Sequence, residues 1–180
     1  MRLDRWVALF ALASGIFNFS IAQAPLVPSD ADSHITFIIK NFGVTVDGSF
    51  SGLQGEIIFD PAIPGDSHFD ITVDANTIDT GIGLRDNHLK KEEYLNVKQF
   101  PQIRFESKKV APTAKLNTFV MTGNLSIKNI SREISFPFTY SIGGIFNGEF
   151  QINRRDYDVG GNSISLSDYL TVHLNVKAIE

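Results

Sequence analysis

The feature that most constrains this chain is a side-chain alternation with a period of two. Leu170, Val172, Leu174, Val176 and Ala178 alternate with Thr171, His173, Asn175 and Lys177. Ile134, Phe136, Phe138, Tyr140 and Ile142 alternate with polar residues or Pro137, and Phe119, Met121, Leu125 and Ile127 follow the same rule. Phe146, Phe150 and Ile152 continue it, and weaker versions run through residues 35–39, 44–50, 55–59, 69–73 and 103–109. Successive side chains of a strand point to opposite faces, so strict alternation makes each strand half buried and leaves no helical stripe. Glycines and turn pairs separate the runs, and Ile142-Gly143-Gly144-Ile145 is the clearest hairpin. The pattern predicts an all-β domain of eight or nine mostly antiparallel strands. Eight long strands suit a barrel, whose interior is just wide enough for side chains or one small ligand. The expected register buries Phe136, Phe138, Phe150, Val172 and Leu174 and turns Glu133, Ser135 and Thr139 outward. One segment, residues 82–94, breaks the alternation. Asp86 followed by good helix formers predicts one short helix over residues 86–94, with Asp86 as its N-cap, on the barrel's flank or mouth.

The start of the chain reads as a secretory signal peptide. Arg2 and Arg5 precede an apolar stretch from Trp6 to Ile21, and Ser20-Ile21-Ala22 offers a small-residue exit. We expect residues 1–22 to be removed and residues 23–180 to form one domain of 158 residues, exported to the periplasm or secreted. That stretch is short for a membrane anchor, which asks for about 20 apolar residues, so stable membrane insertion is not expected. Loss of Arg2, Arg5 and Asp4 takes the formal charge from −4 to −5. A mildly acidic surface argues against nucleic acid as a partner. There is no cysteine, so an oxidising compartment is reached without disulfides.

The residues of common catalytic chemistries are missing. The four histidines, His34, His68, His88 and His173, share no metal-ligand spacing. No Gly-x-Ser-x-Gly elbow occurs, and Asp156-Tyr157-Asp158 resembles only the opening of a calcium loop. No cofactor is expected, and the chain does not read as an enzyme. What stands out is 15 phenylalanines with a single tryptophan, which lies at position 6. Phe37, Phe50, Phe69, Phe105, Phe119, Phe136, Phe138, Phe146 and Phe150 fall on inward positions. They describe either an ordinary packed core or the walls of an apolar tunnel, and periodicity does not separate the two.

Several segments resemble the YceI-like family of polyisoprenoid-binding proteins. They are Ser33-His34-Ile35-Thr36-Phe37 through Gly43, Gly55-Glu56-Ile57-Ile58-Phe59-Asp60, and the most specific, Ile78-Asp79-Thr80-Gly81 with Arg85-Asp86-Asn87-His88-Leu89-Lys90. Phe100-Pro101-Gln102-Ile103-Arg104-Phe105, Gly123-Asn124-Leu125-Ser126-Ile127 and Ile152-Asn153-Arg154-Arg155-Asp156-Tyr157 follow in order. The resemblance implies an eight-stranded antiparallel lipocalin-like barrel with an apolar central pocket for an isoprenoid or other long-chain lipid. Leu26, Asn41 and Asn129 depart from the family's usual residues. Arg85, His88 and Arg154, in the matching segments, are the candidates for contact with a lipid head group. Each also has a purely structural alternative: Arg85 paired with Asp79 or Asp86, His88 solvated, Arg154 paired with Asp156. A solid-core barrel serving as a stress-related structural or interaction module is the rival to lipid binding. A continuous apolar cavity would distinguish them.

Overall fold

A computed structural model describes residues 24–180; the expected leader, residues 1–22, lies outside the described residues. The elements in chain order are β1 (Val27–Pro28), β2 (His34–Asn41), β3 (Val44–Ile58), β4 (His68–Asp79), α1 (Gly83–Leu89), β5 (Gln102–Pro112), β6 (Thr118–Ile127), β7 (Ile130–Ser141), β8 (Ile145–Asn153) and β9 (Leu166–Ile179). Single 3-10 turns stand at Pro64–Asp66 and Arg154–Tyr157. Strands β2 to β9 pair in order, each antiparallel to the next, and β9 closes the ring on β2. The result is the eight-stranded antiparallel barrel, with the short β1 added to the end of β9. Closure leaves no free edge in the eight-stranded ring, and an edge strand is a standing aggregation hazard.

The register agrees with the alternation. Phe136 pairs with Met121 across β6 and β7, and Phe150 with Val172 across β8 and β9, all pointing inward. Phe136 and Phe138 are buried, with Glu133 and Ser135 outside. Phe150, Val172 and Leu174 are only half buried. They face inward and border the barrel's pocket, Phe150 with its ring 4.7 Å from that of Phe136.

The pairing of the long β3 with β4 slips between Ser49, Ser51 and Gln54. Gly55 there has φ 132°, and a Cβ on it would stand 1.9 Å from the Asp70 carbonyl oxygen. Only glycine lets the two backbones approach so closely. On the outer wall, Arg104 grips Asp70 with Nε and Nη2 at 2.7 and 2.8 Å. That bond holds the Asp70 carboxyl below its usual range, although both groups are solvated enough that the pair contributes little to stability.

Two hairpin turns use left-handed residues. Lys128 and Asn129 (φ 51° and 64°) connect β6 to β7, which shows how asparagine serves there in place of glycine. Phe42 and Gly43 (φ 49° and 77°) connect β2 to β3. Phenylalanine is a costly choice for a left-handed position.

Two features differ from expectation. The helix spans Gly83–Leu89, starting three residues before Asp86 and ending five before Tyr94. Its N-cap residue is Ile82, which makes no side-chain cap bond. Asp86 lies within the first turn, and its carboxylate accepts from the Thr80 N–H and hydroxyl instead. The helix ends early because Lys90 and Lys91 close it with tight turns, and the chain then folds under the barrel's end as Leu95 and Val97 become buried. The second difference is β1. Its two residues escape any periodicity argument, yet Leu26 and Ile57 exchange backbone hydrogen bonds at 2.8 Å and draw the N-terminal segment across one end of the barrel.

Candidate functional site: a blind apolar pocket

The barrel encloses a pocket of about 270 Å³. Its floor lies at the end carrying the β3–β4 and β7–β8 connections. There Phe59, just past the end of β3, is 2 % exposed and packs its ring against five others. Ring centroids lie 5.0 Å away at Tyr140, 5.2 Å at Phe119, 5.3 Å at Phe146, 5.8 Å at Phe138 and 5.9 Å at Phe69. Offset and edge-on contacts of this kind stabilise beyond the area they bury. Of the two readings of the inward phenylalanines, the interior is the open one, as a pocket closed at one end. Its volume sits at the lower edge of the range usual for ligand pockets, about 300–1,000 Å³.

Eight of the nine inward phenylalanines border the pocket: Phe37, Phe50, Phe69, Phe105, Phe136, Phe138, Phe146 and Phe150. Phe119 does not, because it lies behind Phe138, stacked on it at 5.4 Å, inside the floor. Phe59 was not among the inward candidates. The signal for it was present, since it shares the phase of Ile57 at the end of the same run.

Glycines on the inner wall explain how so many rings leave space. A Cβ on Gly48 would stand 2.2 Å from the Phe37 ring, and one on Gly123 would stand 2.6 Å from the Phe105 ring. Phe136 covers Gly148 similarly, at 3.2 Å. These rings lie flat in gaps that absent side chains provide, so the middle of the barrel stays open. Gly48→Val is therefore expected to push Phe37 into the pocket and shrink it, which a crystal structure of the variant would show directly.

The other end, between the β2–β3 turn, α1 and the β8–β9 connection, is the mouth. Its wall includes Asn41, Thr80, Arg85, Tyr94 and Arg154. The Asn41 Oδ1 is shielded from solvent and has no hydrogen-bond partner among the described residues. Arg85 donates from Nε to the Thr80 hydroxyl at 2.7 Å and from Nη2 to the Thr80 carbonyl at 2.6 Å. It reaches Asp86 only through Thr80, and it pairs with neither Asp79 nor Asp86. Its Nη1 remains without a protein partner among the described residues, at the pocket's edge.

Arg154 and His88 are placed differently from expectation. Arg154 borders the pocket but is 2 % exposed. It donates to the carbonyls of Ser167, Val159, Gly161 and Leu166, at 2.9, 2.7, 2.9 and 3.2 Å. Its remaining bond, 3.1 Å, goes to the carboxylate of Asp168, not to Asp156. A guanidinium has five N–H donors. All five are used, so none is left for a head group, and the residue's work is to hold the β8–β9 connection. His88 is exposed, lies outside the pocket, and sets its ring 4.8 Å from Tyr94. Of the three polar candidates, only Arg85 both faces the pocket and keeps a donor free.

Tyr157 closes the wall behind Arg154. It is 1 % exposed, its hydroxyl has no partner among the described residues, and burial pushes the phenol up to about 12. The unfolded phenol ionises near 10, so the folded state holds this proton more tightly. The associated stability is complete below pH 10 and is lost as pH rises through about 12. Tyr157→Phe is expected to flatten that alkaline loss in urea titrations at successive pH values. At pH 7 it should change stability by less than about 1 kcal/mol, since no bond is broken.

A closed eight-stranded barrel around an aromatic-walled pocket is a lipocalin-like architecture. Residues 27–178 match the sequence model of the YceI-like domain, and the chain belongs to that family. UPF0312 protein YE1254 of Yersinia enterocolitica is 29 % identical over 167 residues, covering 89 % of this chain and 84 % of that protein. BcnA of Burkholderia cenocepacia superposes with a TM-score of 0.79 at 23 % identity, over 85 % of this chain and 99 % of that one. A polyisoprenoid-binding domain from Saccharophagus degradans superposes at 0.65 with 13 % identity, over 85 % and 97 %. At those identities the two structures establish the shared fold.

Proposed function

We propose that this protein is an exported binding and carrier protein, not an enzyme, that sequesters the tail of a long isoprenoid-type lipid. The observation that carries the reading is the unfilled pocket walled by eight phenylalanines, with its charged groups confined to one end. Each CH₂ moved from water into such a pocket gains about 0.8 kcal/mol. The blind floor suits a chain end, and the pocket's size suits the last few isoprene units, with the rest of the lipid and its head group at the mouth. Arg85 Nη1 and Asn41 are the groups placed to meet that head group. The family and the polyisoprenoid-binding structural relative support a lipid partner, and the basic, then apolar, start of the chain supports export. A binding role fits the mouth's polar groups, most of which are engaged in structural hydrogen bonds. A solid-core structural module would have no such void.

Val172 projects into the open part of the pocket, so Val172→Trp fills space instead of disrupting packing. The variant is expected to keep or raise its melting temperature and to lose most of its capacity for a fluorescent prenyl or polyene probe. Probe binding indifferent to this substitution, in a folded variant, would reject the pocket as the site.

A further inference from the structure

Large apolar side chains stand exposed on three separate segments around the pocket's mouth. Phe42 lies in the β2–β3 turn and Val44 at the start of β3, Ile82 and Leu84 at the start of α1, and Ile164 in the β8–β9 connection. Phe42 and Leu84 are 83 % and 85 % exposed, and Ile164 is fully exposed. They form one rim. The Phe42 N–H donates to the Ser165 carbonyl at 2.8 Å, beside Ile164, and their chain neighbours Asn41, Arg85 and Leu166 all border the same pocket. Phe42 also occupies a left-handed turn position that asparagine would fill at less strain. Neither the hairpin nor the solvent favours a phenylalanine there.

We propose that this rim inserts into the surface of a lipid bilayer and that the pocket exchanges its ligand there. The inference rests on the lipid-binding reading of the pocket and adds to it the surface through which lipid arrives. A long apolar tail has almost no concentration in water, so the pocket must open onto an apolar phase. The Phe59 floor closes the opposite end, which leaves the rim as the contact. Its apolar groups are single side chains on three separate segments of the chain. Such an arrangement fits a fluid apolar phase better than a shaped protein. The chain's net charge is negative, so attachment comes from apolar insertion, works on zwitterionic lipid and depends little on salt.

The test uses delipidated protein of residues 23–180, which contain every strand of the closed barrel and no tryptophan. Phe42→Trp places a lone reporter on the rim, and its emission is expected to shift blue on addition of phosphatidylcholine vesicles. Co-sedimentation should fall about tenfold for each rim side chain made polar, in Leu84→Ser and Ile164→Ser. Phe42→Asn should lower vesicle binding while leaving the melting temperature unchanged or higher, which separates docking from folding. Leu116 and Ile142 are equally exposed but stand at the floor end, so Leu116→Ser and Ile142→Ser should bind vesicles as the parent does. No blue shift at saturating lipid, equal losses at both ends, or a rim buried in a stable dimer by light scattering would each overturn the proposal. Vesicle binding is read without ligand and probe capacity without vesicles, so the two readings fail separately.

Discussion

Arg154→Met is expected to cost about 3–5 kcal/mol of folding stability, as removal of one partner from a buried charged network does. Methionine keeps much of the stem's volume but supplies none of the five hydrogen bonds. The carbonyls of Ser167, Val159, Gly161 and Leu166 would lose their donor in a partly buried region, and each group left buried and unsatisfied costs about 1–3 kcal/mol. Domains of this size are stable by about 5–15 kcal/mol, so the variant should be near or past the point of unfolding. Arg154→Lys is expected to recover only a minor part, because one ammonium cannot span four carbonyls and Asp168. Equilibrium urea unfolding at pH 7 measures both. A loss below about 1 kcal/mol for Arg154→Met would show that the β8–β9 connection does not depend on this network.

Phe59→Ala is the second large effect, at about 3–5 kcal/mol. The ring is held by five aromatic neighbours, and a packed aromatic floor has little freedom to collapse into the space left behind. The same change should deepen the pocket toward Tyr140 and Phe119 and so admit a longer chain. In a series of prenyl alcohols of increasing length, the variant's preferred length is expected to rise relative to the parent protein. If stability falls as predicted but length preference stays fixed, Phe59 is a packing residue and not the pocket's floor.

How far these features could be read from the sequence depends on the kind of physics behind each. The barrel followed from alternation because a pleated strand translates period directly into face, and nine inward phenylalanines were found that way, eight of them on the pocket. Phe59 shared the right phase but lay at the end of a weak run, where alternation no longer fixes a face. Phe119 was correctly inward yet outside the pocket, since periodicity gives direction and not depth along the barrel axis. Arg154 illustrates a different gap. Asp156 is near in sequence, but the 3-10 turn sends the two side chains apart, and the partners that matter lie between Val159 and Asp168 on a connection without periodic pattern. Asp86 had the composition of a helix cap, but Thr80, six residues earlier, offered its carboxylate a backbone N–H and a hydroxyl. The open interior was implied by the family resemblance, but alternation alone could not separate it from a packed core. It depends on rings lying flat over Gly48, Gly123 and Gly148, and those pairings exist only once the strands are in register.

The central claim is that the pocket holds the apolar tail of a lipid. Protein of residues 23–180, purified without detergent from a bacterial host and extracted with organic solvent, tests it most directly by mass spectrometry of the extract. The account predicts a long-chain isoprenoid-type species, near one per protein, greatly reduced in extracts of Val172→Trp. An extract free of lipid, or one whose lipid is undiminished in that folded variant, would contradict it.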